Sequence, residues 1–260
     1  MSGKRGLVMG VANDHSIAWG IAKALAGEGA ELAFTFQSDA LGKRVAPLAK
    51  AIGAAHVLPC DVEDLASVDA VFSALGAAWG SLDFLVHCIG FSDRNELKAR
   101  YADTSRENFI RTMVISAFSF TEIAKRAASM MPSGGAMLTL TFGGATRVVP
   151  NYNVMGVAKA ALEASVRYLA ADFGPENIRV NAISAGPIRT LAGAGIADAR
   201  FMFNFQRAHS PLRRTVTIEN VGGAALYLLS SLSDGVTGEV HFVDAGYNIV
   251  SMPRPDEIKS

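Results

Sequence analysis

Short apolar runs alternate along this chain with longer stretches in which apolar residues recur every three or four positions. The short runs are "GLVMG" near residue 6, "ELAFTF" near 31, "AHVLP" near 55, "DFLVHC" near 83, "AMLTLTF" near 136, "IRVNAIS" near 178 and "EVHFVD" near 239. Near-continuous apolar runs of this length suit strands buried on both faces. The stretches between them, such as "SIAWGIAKALAGEGA", "SVDAVFSALGAAWG" and "ENFIRTMVISAFSFTEIAKRAASM", have helical period. This alternation predicts an α/β fold, a doubly wound parallel sheet of seven strands whose ligands bind beyond the strands' carboxyl ends. No linker, repeat or low-complexity segment breaks the rhythm, so residues 1–260 read as one domain. Residues 191–214, "LAGAGIADARFMFNFQRAHSPLRR", depart from it. Small residues at 191–197 lead into Phe201, Met202, Phe203 and Phe205, too apolar for an ordinary loop, and predict an inserted helical lid with a small-residue hinge.

Composition narrows the function. Half of the residues are hydrophobic and 18% are charged, consistent with a large core. Twenty-four basic and 24 acidic residues balance, which argues against the basic excess of a nucleic-acid binder. No apolar run reaches membrane-spanning length and the start, "MSGKRGLVMG", lacks the pattern of a secretory signal, so a cytoplasmic protein is expected. Cys60 and Cys88 end strand-like runs and read as free core thiols. No His or Cys shows ligand spacing, and no metal is expected.

The first strand leads into "GVANDHSIAWGIAKAL". Gly10 closes the strand, where a glycine lets backbone approach a ligand, and Ser16 is placed to cap the following helix. Unpaired N–H groups at that helix start suit a pyrophosphate, although the spacing is not G-x-G-x-x-G and a plain tight turn reads equally well. Gly20, inside the helix, suggests close packing on the sheet or a cofactor. Gln37, Asp61 with Val62, and "CIGF" (88–91) follow the second, third and fourth strands and suit an adenosine lying across the sheet edge.

Beyond the fifth strand, Tyr152 and Lys159 lie seven positions apart in an otherwise apolar helical stretch. At about 100° per residue they return to within about 20° of one another and project together. A core tyrosine beside a solvated lysine remains one reading. In the other, the ammonium holds ribose hydroxyls while the phenol bonds a substrate carbonyl oxygen that gains negative charge. "GPIRT" (186–190) adds a turn whose backbone could meet a nicotinamide carboxamide.

In this order, these segments resemble the short-chain dehydrogenase/reductase superfamily. Within it they are similar to the enoyl-acyl-carrier-protein reductases of bacterial fatty-acid synthesis, over almost the whole chain. The resemblance rests on "GVANDHSIAWGIA", "CDV", "VHCIGF", "PNYNVMGVAKAALEASVRYLA", "RVNAISAGPIRTLA" and "RRTVTIENVG", with Tyr-x6-Lys as the discriminating mark. Most of the superfamily uses Tyr-x3-Lys, and position 156 here is glycine. The resemblance implies a Rossmann-type fold, NADH rather than NADPH as cofactor, a trans-2-enoyl thioester delivered by acyl carrier protein, and a homotetramer. It implies Tyr152 on the thioester carbonyl and Lys159 on the ribose. It implies Gly10, Ser16, Ile17, Gln37, Asp61, Val62, Ile89, Ile188, Arg189, Thr190, Leu191 and Ala192 around the cofactor, and Ser92, Phe142, Met155 and Phe201 around the substrate. Two positions depart from the family pattern. Phe142 stands where a second tyrosine is common, and Ala197 and Phe201 stand where the lid of better-known members carries lysines, while Arg200 is kept. A carbonyl reductase of the same superfamily and a catalytically weak cofactor-binding paralogue are the alternatives.

Overall fold

The computed structural model describes residues 1–190 and 199–252. The chain runs β1 (Arg5–Met9), α1 (Ile17–Gly27), β2 (Glu31–Phe36), α2 (Asp39–Ala51), β3 (His56–Pro59), α3 (Leu65–Trp79), β4 (Phe84–His87), α4 (Arg94–Leu97), α5 (Arg106–Met113), α6 (Ser119–Ser129), β5 (Gly135–Thr141), α7 (Asn153–Phe173), β6 (Ile178–Ala185), α8 (Ala199–His209), α9 (Ile218–Leu229) and β7 (Val240–Val243). The seven strands form one parallel sheet in the order β3-β2-β1-β4-β5-β6-β7. All seven coincide with the apolar runs of the sequence. Strand order reverses between β1 and β4, and at such a switch point the loops diverge and leave a crevice beyond the strand ends.

Alternate residues of each strand feed two separate cores. Leu7, Met9 and Leu85 point toward α3, α6 and α7, where Leu75, Phe120, Ile123 and Leu162 are buried. Val8, Phe84 and Val86 point toward α1, α2 and α9, where Ile21, Leu25, Val45 and Leu228 are buried. A parallel strand must therefore be apolar on both faces, which is why these runs do not alternate.

Two sequence expectations need correction. Gly20 packs neither on the sheet nor toward the crevice: a Cβ there would lie 2.4 Å from the Ile218 carbonyl oxygen, and one on Gly222 would lie 2.6 Å from that of Gly20. The two glycines let α1 and α9 touch backbone to backbone. The helical stretch read from the sequence after β4 is helical throughout residues 106–129, with a π turn at Val114–Phe118 between α5 and α6. The lid helix ends at His209, so only part of residues 191–214 is helical among those described, and the proposed hinge at 191–197 lies outside them. No described helix is long and apolar enough to cross a membrane.

Candidate active site

The carboxyl edge is shaped first by backbone. Gly10 ends β1 at φ +96°, and a Cβ there would lie 2.1 Å from the Cys88 carbonyl oxygen. Only glycine lets the loops after β1 and β4 come this close. Ser16 does not cap α1 as expected. Its hydroxyl accepts the N–H groups of Ala12 and Asn13, both at 3.0 Å, and so shapes the loop instead. The first turn of α1 is left without a side-chain cap, the arrangement that receives an anionic group on helix N–H donors.

Tyr152 sits at the N-cap of α7, between Asn151 (φ 61°) and Asn153 (φ 39°). Asn153 donates its amide to the carbonyls of Leu97 and Ala99 and so ties the start of α7 to α4. Gly144 and Gly156 explain the long Tyr–Lys spacing. A Cβ on Gly156 would lie 2.7 Å from the Gly144 carbonyl oxygen, and one on Gly144 would lie 2.3 Å from the Tyr152 ring. A lysine at 156 has no room, and the cation comes one turn later. Lys159 is buried, 7% exposed, and its ammonium donates to the Leu140 carbonyl at 2.8 Å. Burial lowers its pKa to about 8, opposed by the nearby Cys88 and Glu163. Burial, with a smaller effect of Glu163, pushes the Tyr152 phenol up, so it stays an O–H donor across the physiological range.

A cavity of about 600 Å³ opens over these groups, and Ile17, Ile89, Ser92, Phe142, Tyr152, Met155, Lys159, Ile188 and Thr190 all line it. The Phe142 and Tyr152 rings meet edge-on, with centroids 5.0 Å apart. Other candidates lie elsewhere. Gln37 and Asp61 meet at the ends of β2 and β3, where the Gln37 amide donates to the Asp61 carboxylate at 3.3 Å, while Val62 is buried in the core beside α3. Arg189 faces a neighbouring cleft with its guanidinium 5.6 Å from the Phe203 ring centre, and Phe201 lines a separate cavity. Leu191 and Ala192 lie outside the described residues.

The sequence reading missed Ser116, Asn108, Thr112 and His87, polar groups that brace this cavity or the residues lining it. Ser116, inside the π turn, accepts the N–H of Phe91 at 2.9 Å and donates to its carbonyl at 3.0 Å, which fixes the loop after β4. A π turn at such a place is a frequent mark of a functional site. Ser92 is buried among Asn108 and Thr112, whose hydroxyl donates to it at 3.0 Å. His87 is fully buried between Thr139 and Ser119, and burial holds its pKa down at about 3, so it is neutral and structural. Cys88 is pushed up to about 12 by burial and is a thiol. The available signal was hydroxyls at inward positions of "VISAFSF", where an ordinary amphipathic helix would carry only apolar residues.

This arrangement fits a dinucleotide stretched over the switch point with its reactive end beside a phenol and an ammonium. The family model described as enoyl-(acyl carrier protein) reductase matches residues 10–248. The chain belongs to that family. An enoyl-acyl-carrier-protein reductase (NADH), the second of Rhizobium meliloti, is 72% identical over 259 residues, covering 100% of this chain and 97% of that protein. The crystal structure of FabI from Candidatus Liberibacter asiaticus is 60% identical and superimposes with a TM-score of 0.96 over 97% of this chain and 98% of that one. The enoyl-acyl-carrier-protein reductase of Anaplasma phagocytophilum, solved in complex with NAD, is 57% identical, with a TM-score of 0.95 over 98% of this chain and 97% of that one.

Proposed function

We infer that the protein is an NADH-dependent enoyl-acyl-carrier-protein reductase of fatty-acid synthesis, reducing trans-2-enoyl thioesters to saturated acyl thioesters. The observation that carries this reading is the Tyr152–Lys159 pair on the wall of one cavity, at the spacing that Gly156 imposes. When bound, NADH supplies a hydride from nicotinamide C4 to the substrate β-carbon. The uncapped start of α1 suits its pyrophosphate, the Gln37–Asp61 pair its adenosine ribose, and Ile17, Ile89, Ile188 and Thr190 the nicotinamide half. Lys159, whose ammonium lies on the same cavity wall, would hold the ribose hydroxyls. Tyr152 keeps its proton and donates a hydrogen bond to the thioester oxygen as negative charge collects there, and a proton drawn from solvent onto the α-carbon then completes the saturated thioester. Apolar walls at Phe142, Met155 and Met202 exclude water from that charge.

The adenosine edge supports NADH over NADPH, because the Asp61 carboxylate beside Gln37 opposes a 2′-phosphate. An acyl carrier protein presents the substrate. The lid lacks the expected lysine at Phe201, and Arg189 and Arg207 instead line a cleft that adjoins the reaction cavity through Pro187, Ile188 and Phe203. Assembly as a homotetramer is supported by Ile110, Phe118, Val157 and Tyr168, large apolar side chains exposed on α5, the π turn and α7. NADH oxidation with a crotonyl thioester tests the reading. Steady turnover is expected. Turnover with a 3-oxo substrate alone indicates a carbonyl reductase, and cofactor binding without turnover indicates an inactive paralogue.

A further inference from the structure

The wall of the reaction cavity runs on past Tyr152 and Lys159, through Ser92, Asp93 and Arg94, to Leu97 of α4. Asp93 and Arg94 are exposed, so the cavity opens to solvent there. Three cations stand around this mouth. Arg94, Lys98 and Arg100 are all exposed, and none of them forms an ion pair or a side-chain hydrogen bond among the described residues. The neighbouring acids are engaged. Asp93 accepts the N–H of Asn95 at 2.7 Å, and Glu96 accepts the N–H and hydroxyl of Ser105 and the amide of Asn108. Of the carboxylates between residues 93 and 103, only Asp103 has no side-chain bond among the described residues. Two exposed rings, Phe91 and Tyr101, flank the cations, and arginine beside such rings is the composition of a protein interface.

The segment is held from within. Leu97 is buried, and the Asn153 amide bonds the Leu97 and Ala99 carbonyls, which fastens α4 to the residue beside Tyr152. A partner seated here meets a surface that is already ordered, which lowers the entropy cost of binding. The cleft of Arg189 and Arg207 is the other basic wall near the cavity, but Arg189 lies over the Phe203 ring, and Asp14 and Glu219 share that lining. We propose that Arg94, Lys98 and Arg100 form the docking surface for the acyl carrier protein, with Arg94 meeting the phosphate of its thioester arm and Lys98 and Arg100 meeting carboxylates of the carrier itself. This rests on the enoyl-reductase reading and names the place where its partner binds. The arm is a phosphodiester joined to a neutral amide chain, so an arginine at the mouth holds its one charge while the thioester reaches inward to Tyr152. The α4 segment thereby supplies cations that the lid lacks at Ala197 and Phe201.

The test separates the carrier from its arm. NADH oxidation by the full-length enzyme is measured with crotonyl thioesters of acyl carrier protein, of 4′-phosphopantetheine and of pantetheine. The Lys98→Ala/Arg100→Ala double variant should lower kcat/KM for the carrier thioester by about tenfold, through KM, and keep the pantetheine value within about twofold. Added salt should raise the carrier KM of the wild type and leave that of the double variant nearly flat. The wild type should favour the phosphopantetheine over the pantetheine thioester by about threefold or more, Arg94→Ala should erase that preference, and Arg94→Lys should restore part of it. Turnover of the pantetheine thioester shows that each variant is folded. Equal losses with all three substrates would make α4 merely structural and overturn the proposal, as would a carrier KM that the double variant does not move. A phosphate preference that survives Arg94→Ala would overturn the role of Arg94. Loss of carrier activity in Arg207→Ala, with the Lys98→Ala/Arg100→Ala variant at wild-type level, would place the carrier at the lid cleft and refute the α4 surface. A wild type that turns over none of the three thioesters refutes the reductase reading itself, whereas turnover of all three without a carrier-specific loss refutes only the docking surface.

Discussion

The two halves of the sheet's carboxyl edge treat water differently. At the ends of β2 and β3, Gln37 and Asp61 meet in the open, joined by one hydrogen bond of 3.3 Å. At the ends of β4 to β6, Tyr152 and Lys159 are buried, the phenol pushed up and the ammonium pushed down to about 8. An exposed polar group in water gains or loses little when its partner changes, whereas a buried one senses every neighbour through a low dielectric. The open half is suited to choosing a cofactor and the dry half to acting on a substrate. Substitutions in the two halves should therefore differ by orders of magnitude.

The largest effect is expected at Tyr152. Tyr152→Phe should lower kcat by about 10²–10³-fold, the usual cost of one oxyanion donor, and leave NADH affinity nearly unchanged. Stopped-flow cofactor titration beside steady-state assay separates the two quantities, and wild-type kcat in this variant would remove Tyr152 from the chemistry. Gly144→Ala comes next. Its methyl would sit 2.3 Å from a Tyr152 ring carbon and must displace the ring, at an expected cost of about 10–100-fold in kcat with the fold retained by circular dichroism. A variant as active as its parent would show that Tyr152 does not need this placement.

The pH profile probes the same half. With Lys159 near 8, kcat/KM should fall as pH rises through about 8, because the ammonium that holds the ribose is lost. The stability of the cofactor-free protein should move the other way. The folded pKa lies below the ordinary 10.5, so the unfolded chain binds more protons between about 8 and 10.5, and this group's contribution to stability rises with pH across that window. Glu163→Gln removes a carboxylate that raises the Lys159 pKa, so the fall in activity should begin at lower pH. An unchanged profile would assign the limb to another group. The smallest effect belongs to the open half. Gln37→Ala should weaken NADH by only about two- to fivefold, one exposed hydrogen bond's worth, and leave kcat unaltered. A loss in kcat as large as that of Tyr152→Phe would erase the contrast between the two regions.

How much of this was legible in the sequence depends on the range of the interactions. Seven strands could be read from seven apolar runs because burial on both faces acts residue by residue, and the Tyr–Lys pair could be read from helical period. The cap at Ser16 was misread because a serine before a helix can turn its hydroxyl forward or back, and the backward choice depends on the loop geometry around Ala12 and Asn13. Gly20 was placed against the wrong neighbour because the element it touches, α9, lies some 200 residues away in the chain.

The sequence by itself determined the periodic architecture, the order of strands and helices, and which residue types stand at each strand end, since these follow from local burial and backbone preference. Tertiary structure alone decided that the helical run from α5 to α6 widens into a π turn that brings Ser116 to Phe91. It alone decided that Gly156 stands against Gly144, where a side chain has no room, and that Phe142 lines both the reaction cavity and the separate one beside Phe201. The Ser116–Phe91 bond and the walls of those cavities join segments distant in sequence, fixed by packing whole elements at van der Waals distance, and no short window of neighbouring residues contains the atoms that set them.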